Sequence, residues 1–338
     1  MGFGFQEAIE MLSAPDSLDN EQIALWDTLA TRLVTLDERI WEGLANGPAI
    51  EHWLDNFVGS TGAGADIERL HALYLLSQFM YFGAREIRVL LRALYRDLFL
   101  LPLAQRVRER AGSQAEFEVL MQQEIEATRF LGVGNPSESG VHLLYYFRQE
   151  NRLSKAAFID SAQIYKIEGE GDGRKRIARY NSVSRYVFLD DMCGSGETAI
   201  RYSQDLLPEL IAENGDIEAH YLALFACKDG LDRVRSETVF GKHCGAVYEL
   251  DDSYKWASGD SRYLSSLPAG LDRGLLIALP DVYGRQIMPG HPLGYLGGQL
   301  LLGFFHNTPD NTLPIIWGDP VNGSSVPWYP IFRRYPKV

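Results

Sequence analysis

The chain is poor in the features that would classify it quickly. Its 338 residues include three cysteines, Cys193, Cys227 and Cys244, widely spaced and forming no CxxC pair. That excludes a disulfide scaffold and fits reduced thiols in a cytoplasmic protein. No His/Cys/Asp spacing suggests zinc, and the lone histidines, His142 and His306 among them, read as surface or core residues. Positive charge is also short, with 32 Lys and Arg against 45 Asp and Glu, a net charge of -13. Any nucleic-acid contact would therefore be a local patch working against a repulsive background. No run approaches the roughly 18 apolar residues of a membrane span, so no membrane partner is expected. "MGFGFQEAIEML" has no basic segment and no long apolar core, so it does not read as a signal peptide, and the cytoplasm is the expected compartment. There is no internal repeat and no low-complexity tract.

What is present is an ordinary globular composition, 46% apolar and 23% charged, on a chain long enough for two domains. Residues 1–127 read as an all-helical N-terminal domain. Its clearest segment is "AREIRVLLRALYRDLF", 84 to 99. Ile87, Leu90, Leu91, Leu94 and Leu98 share one face there, and Arg85, Arg88, Arg92 and Arg96 line the other. That ridge is a candidate contact for a protein or nucleic-acid partner, or a solvated face paired with Glu86 and Asp97. Pro102 follows, and a new helix is expected from the N-cap residue Ser113; "VGSTGAGAD", 58 to 66, is a break between earlier helices. From about 128 the pattern alternates. "TRFLGVG", "RYVFLDD" and "EAHYLALFAC" read as strands, "VHLLYYFRQE" and "ETAIRYSQDLLPELIAE" as helices, "AAFIDSAQIYK" as extended, and "QLLLGFFHNTPDNTLPIIW" as two strands around a polar turn. Residues 128–338 are thus expected to be an α/β domain with a mostly parallel sheet flanked by helices. Ligands of such sheets bind at the carboxyl ends of the strands, where loops 135–140, 190–198 and 227–230 should gather.

The stretch "YVFLDDMCGSGETA", 186 to 199, carries the chemistry. It is not a phosphate-binding P-loop, because Glu197 stands where GxxxxGK[ST] requires lysine. "DMCGSG" fits an S-adenosylmethionine methyltransferase loosely. However, no [DNS]PP[YFW] motif follows, and the next strand ends in Ala226, Cys227 and Lys228 without an acidic residue. A phosphoribosyl site fits better. A ribose needs carboxylate acceptors for its 2′- and 3′-hydroxyls, here Asp190 and Asp191. Its 5′-phosphate needs backbone N–H donors at a helix N-terminus, here Cys193, Gly194, Ser195, Gly196, Glu197 and Thr198, with hydroxyls from Ser195 and Thr198.

In these residues the chain resembles the type I phosphoribosyltransferases. Their signature is an apolar strand, two acidic residues, two apolar or small ones, then a small-Ser/Thr-Gly-x-Ser/Thr turn. The resemblance implies phosphoribosyl pyrophosphate or a nucleotide as ligand, Mg2+ held at Asp190 and Asp191, and pentosyl-transfer chemistry. It also implies a pyrophosphate loop, matched by Asn135, Ser137, Glu138, Ser139 and Gly140. A mobile loop upstream of the signature is matched by 167–182, where Arg174, Lys175 and Arg176 would meet the departing pyrophosphate. Lys228 would help position the base or the pyrophosphate. Together with "TRFLGVGNPSESG" and the ending "NTPDNTLPIIW…WYPIFRR", the signature is similar to phosphoribosyltransferase-like proteins of bacterial conflict loci, including retron-type antiphage systems. There a helical or winged-helix-like region precedes the transferase-like domain, and the implied role is a defence effector or regulator. A non-catalytic sensor of a phosphoribosyl ligand, signalling to a partner, is the alternative. Trp328, Tyr329 and Phe332 beside Arg333 and Arg334 could pin the chain end to the core, stack on a base or contact a partner.

Overall fold

The computed structural model describes residues 5–134, 139–169, 174–213, 215–320, 323–324 and 326–335. In chain order the elements are α1 (Phe5–Met11), α2 (Asn20–Arg39), α3 (Gly47–Leu54), α4 (Ala65–Ser77), β1 (Met80–Phe82), α5 (Ala84–Ala93), a π-helical turn (Leu94–Leu100), α6 (Leu101–Arg110), α7 (Gln114–Glu126), β2 (Thr128–Gly132) and α8 (Ser139–Glu150). There follow β3 (Tyr165–Glu168), β4 (Lys175–Ala178), β5 (Arg185–Cys193), α9 (Glu197–Leu206), α10 (Pro208–Glu213), β6 (Glu218–Cys227), α11 (Lys228–Glu237), β7 (Cys244–Leu250), α12 (Arg273–Ile287), β8 (Leu302–Phe304) and α13 (Pro314–Trp317).

Two compact units result, but they do not divide at 127/128. One unit is 1–85 with 251–338, the other 86–250. The reason is a core that the N-terminal helices cannot complete alone. Trp41, Trp53, Leu73 and Leu76 share one apolar cluster with Trp256, Leu279, Ile315 and Trp317. The indole of Trp53 donates to the Ile315 carbonyl at 2.7 Å, and that of Trp328 donates to the same carbonyl at 3.0 Å. β1 pairs in parallel with β8 and is the only strand among the described residues before β2. The ending "TLPIIW" is accordingly not a strand. Pro314 opens the short helix α13, whose Ile315, Ile316 and Trp317 are buried.

The second unit carries a four-stranded, all-parallel sheet in the order β2-β5-β6-β7. This is the α/β architecture with helices on a parallel sheet that the alternating pattern predicts. One face packs Tyr186, Phe188 and Tyr221 against Ala199 and Ile200 of α9 and Leu231 and Val234 of α11. Across the other face, Phe130 meets Tyr95 and Phe99 of the π turn and Phe147 of α8 in ring contacts with centroids 5.2–6.1 Å apart. α5 does not stop before Pro102 as expected. The helix widens into the π turn and continues through Pro102 in the first turn of α6. A proline ring clashes with the carbonyl four residues back in a regular helix, and a wider turn relieves that. "AAFIDSAQIYK" is mostly not extended: two short 3-10 turns lead into β3.

The arginine ridge is largely committed within its own unit. Glu150 takes Arg88 at 3.2 Å and Arg92 at 3.4 Å, Arg96 grips Asp97 at 2.6 Å, and Arg88 also lies over the Tyr146 ring. Asp97 is the partner expected from the sequence; Glu150 was not visible there, being 58 or more residues away along the chain. Among the described residues no helix is long and apolar enough to cross a membrane.

Candidate functional site

The strand of the signature is central, paired with β2 on one side and β6 on the other, which is why its apolar run has no polar alternation. It is also longer than its four apolar residues. Pairing with β6 continues through Met192↔Phe225 and Cys193↔Ala226, so Asp190 and Asp191 are held inside the strand, not beyond it. Strand pairing on either side thus sets the backbone from which both carboxylates project.

Asp190 is further fixed by a residue that the sequence did not single out. The hydroxyl of Tyr221 on β6 donates to Asp190 Oδ2 at 2.8 Å, and the Asp191 N–H donates to Asp190 Oδ1 at 2.9 Å. The Cys193 thiol is also within hydrogen-bonding reach of Tyr221. Burial pushes the Tyr221 hydroxyl well above its ordinary value, and the Asp190 charge adds to that; burial likewise pushes the Cys193 thiol up to about 12. Both groups are neutral at pH 7, so Tyr221 remains a donor to Asp190. Asp191 is buried. Only parallel register places Tyr221, opposite Phe188, within reach of Asp190, and register is invisible in a single strand's pattern.

After Cys193 the chain turns through Gly194, Ser195 and Gly196 into α9. Gly196 is the N-cap residue at φ 80°, and no side chain caps the helix. With glycine at the cap, the positive end of the helix dipole lies at this turn with no capping side chain. Ser195 Oγ accepts only a long contact from the Glu197 N–H, 3.4 Å. The turn rests on the start of α11. A Cβ on Gly230 would sit 2.0 Å from the Gly194 carbonyl oxygen, and one on Gly196 would sit 2.6 Å from the Gly230 oxygen. Arg233 clamps the same turn, donating from Nη1 to the Ser195 carbonyl at 2.9 Å. Glycine at 196 and 230 thus allows two backbones to meet. Residues 227–230 do not form the expected loop, since β6 passes directly into α11 with exposed Lys228 as its first residue.

The other predicted pieces are placed unevenly. β2 leads to Gly134, whose carbonyl accepts the Tyr202 hydroxyl of α9, so the first loop starts beside the signature helix. Asn135, Ser137 and Glu138 lie outside the described residues, and Ser139 and Gly140 open α8 with side chains likewise outside them. The span 167–182 contains an antiparallel hairpin, β3 with β4. Within it Arg174, Lys175 and Arg176 are all exposed, and Arg176 also lies over the Tyr165 ring at 4.3 Å and faces Glu209 at 3.7 Å. Arg176 is thereby tied to its own hairpin and to α10. No group of three or more His, Cys, Asp or Glu among the described residues could hold a metal ion. What Asp190 and Asp191 offer is the one or two carboxylates that suit Mg2+ arriving on a phosphate-bearing ligand.

The sequence model of the PRTase-CE family matches residues 50–334, and no curated protein matches the chain. The match covers most of both compact units, including helices ahead of the signature sheet. The chain belongs to the PRTase-CE family and is phosphoribosyltransferase-like.

Proposed function

For this PRTase-CE protein we propose a binding site for a 5-phosphoribosyl group at the carboxyl end of β5, with phosphoribosyl pyrophosphate or a nucleotide as ligand. The observation that carries the reading is the uncapped N-terminus of α9 directly after two strand-held carboxylates. The 5′-phosphate would accept from the backbone N–H groups of residues 194–198 and from the hydroxyls of Ser195 and Thr198. Asp190 and Asp191 would accept from the ribose hydroxyls, with the Tyr221 hydroxyl holding Asp190 in place. Mg2+ bound with the pyrophosphate would be held at Asp190 and Asp191 and would neutralise the leaving group.

As a transferase the site would stabilise a ribosyl cation while the C1′–O bond breaks, its electron pair leaving on pyrophosphate and a base nitrogen taking its place. Lys228, exposed at the start of α11, and the exposed Arg174, Lys175 and Arg176 would receive the departing anion. The setting implied by the resemblance to conflict-locus proteins is antiphage defence, with the chain as effector or regulator.

Calorimetric titration with phosphoribosyl pyrophosphate and Mg2+ tests the pocket. The wild type should bind, and an Asp190→Asn/Asp191→Asn double variant should lose at least about tenfold in affinity, roughly 1.4 kcal/mol. No binding by folded wild type removes the reading. Pyrophosphate release on addition of bases would then separate transfer from ligand sensing.

A further inference from the structure

In the turn 194–196 two consecutive peptides are oriented the same way, and different contacts hold them. A trans peptide is planar, so its C=O and N–H point in opposite directions. No peptide bond among the described residues is cis. The Gly194 carbonyl oxygen lies against Gly230 of α11, 2.0 Å from where a Cβ would stand, so the Ser195 N–H points away from α11. The Ser195 carbonyl accepts from Arg233 Nη1 of the same helix at 2.9 Å, so the Gly196 N–H points away from α11 as well. Neither N–H donates to a protein group among the described residues.

The second peptide is the one that needs holding. Gly196, at φ 80° and ψ -6°, has the backbone of the third residue in a type II turn. Turning the preceding peptide over gives the type I form, which glycine adopts as readily. That form would present the Ser195 oxygen where the Gly196 N–H now stands, an acceptor facing any anion. Arg233 opposes it, and Arg233 is itself oriented. Glu237, one helical turn further on, accepts from its Nε at 3.0 Å and from its Nη2 at 3.4 Å, which leaves Nη1 for the Ser195 carbonyl. Arg235 on the same helix pairs instead with Asp232 at 2.8 Å and Glu249 at 2.6 Å.

We propose that Arg233 is a positioning residue for phosphate recognition at this turn. By fixing the Ser195 carbonyl towards α11 it keeps the Gly196 N–H beside that of Ser195, and the two form a paired donor for the 5′-phosphate of a phosphoribosyl ligand. Arg233 acts through the peptide and does not touch the ligand. This role rests on the phosphoribosyl reading of the site and adds to it the side chain that makes the turn a donor to an anion.

The test is calorimetry with phosphoribosyl pyrophosphate and Mg2+ on the full-length protein and on variants whose folding is checked by melting. Arg233→Ala should weaken binding at least about tenfold, as expected for a lost hydrogen bond to a charged group. Arg233→Met, which keeps the apolar stem, carries the same expectation if Arg233→Ala does not fold. Arg233→Lys, which keeps a charged donor, should recover most of the loss. Arg235→Ala removes the same charge from the same helix and should stay within about twofold of wild type, because its guanidinium does not hold the turn. At saturating ligand the Gly196 amide proton resonance should shift in wild type and in Arg233→Lys, but not in Arg233→Ala. Wild-type affinity in Arg233→Ala, an equal loss in Arg235→Ala, or an undiminished Gly196 shift in Arg233→Ala would each overturn the role of Arg233 and leave the phosphoribosyl reading standing. No binding by folded wild type would overturn both.

Discussion

Two glycine-rich turns in this chain lead into uncapped helices, and they have opposite fates. The turn before α4, "GSTGAG" at 59–64, ends at Gly64 with φ 88°; the turn before α9, "GSG" at 194–196, ends at Gly196 with φ 80°. In the first, the chain supplies its own anion. Buried Glu68 accepts from the Gly59 N–H at 2.7 Å, from the Thr61 N–H at 2.6 Å and from the Tyr283 hydroxyl. Burial pushes that carboxyl up, but hydrogen bonds from Thr61, Tyr283 and Gly59 outweigh it and hold it below the usual range. In the second, no side chain caps the helix and the nearby acidic pair is held back in the strand. Composition does not separate the two turns. What separates them is the acceptor: in the first turn a carboxylate takes the N–H groups of Gly59 and Thr61, whereas in the second the Glu197 N–H meets the Ser195 hydroxyl.

The largest expected effect lies where the second turn meets α11. Gly230→Ala places a methyl against the Gly194 carbonyl and should cost about 3 kcal/mol, lowering the melting temperature of that unit by roughly 6–12 °C. Gly62→Ala in the first turn meets nothing within 4 Å and bears only its φ of +90°, so it should cost about 1 kcal/mol. Calorimetric melting of both variants compares them; equal losses would mean that the close approach at Gly230 is not real.

Next in size is Glu68→Ala, which strands two backbone N–H groups and the Tyr283 hydroxyl. It should destabilise the first unit by about 3 kcal/mol in urea unfolding. If the turn were instead a vacant anion site, the loss would be near zero.

A smaller effect is read by pH. At the amino end of the sheet Glu218 accepts from Arg106 at 2.7 Å and from buried Arg185 at 2.9 Å, with His220 3.3 Å away. The hydrogen bond from His220 and those from the two arginines, against burial, hold Glu218 far below the usual carboxylate range. Burial lowers His220 and His243. For depressed groups of either kind the unfolded state binds protons first, so stability is lost as pH falls. The loss should begin below the unfolded histidine value of 6.5 and steepen below the carboxylate value of 4.5. Thermal melts from pH 7.5 to 4 should show this slope, and His220→Gln should flatten its upper part. A melting temperature constant from pH 7.5 to 5 would contradict it.

The sequence made the sheet legible because buried parallel strands are apolar runs too short for helices, and "YVFL" and "EAHYLALFAC" are such runs. "TLPIIW" misleads by the same rule, since a four-residue apolar run after proline serves equally as a buried helical turn. The unit boundary was hidden because Trp53 and Ile315 meet across 262 positions of sequence. In the site, the carboxylates and the glycine turn were visible. Tyr221, Arg233 and the contact of Gly230 with Gly194 were not, because each depends on which strand lies beside which. The contacts of Arg176 with Tyr165 and Glu209 were likewise hidden, because they depend on the hairpin and α10.

Amide hydrogen exchange of both turns, with and without saturating phosphoribosyl pyrophosphate and Mg2+, tests the comparison most directly. The account predicts that the ligand slows exchange at residues 194–199, whereas the Gly59 and Thr61 amides in 59–64 exchange as slowly as in its absence because Glu68 already holds them. Unchanged exchange at 194–199, or new protection at 59–64, would contradict it.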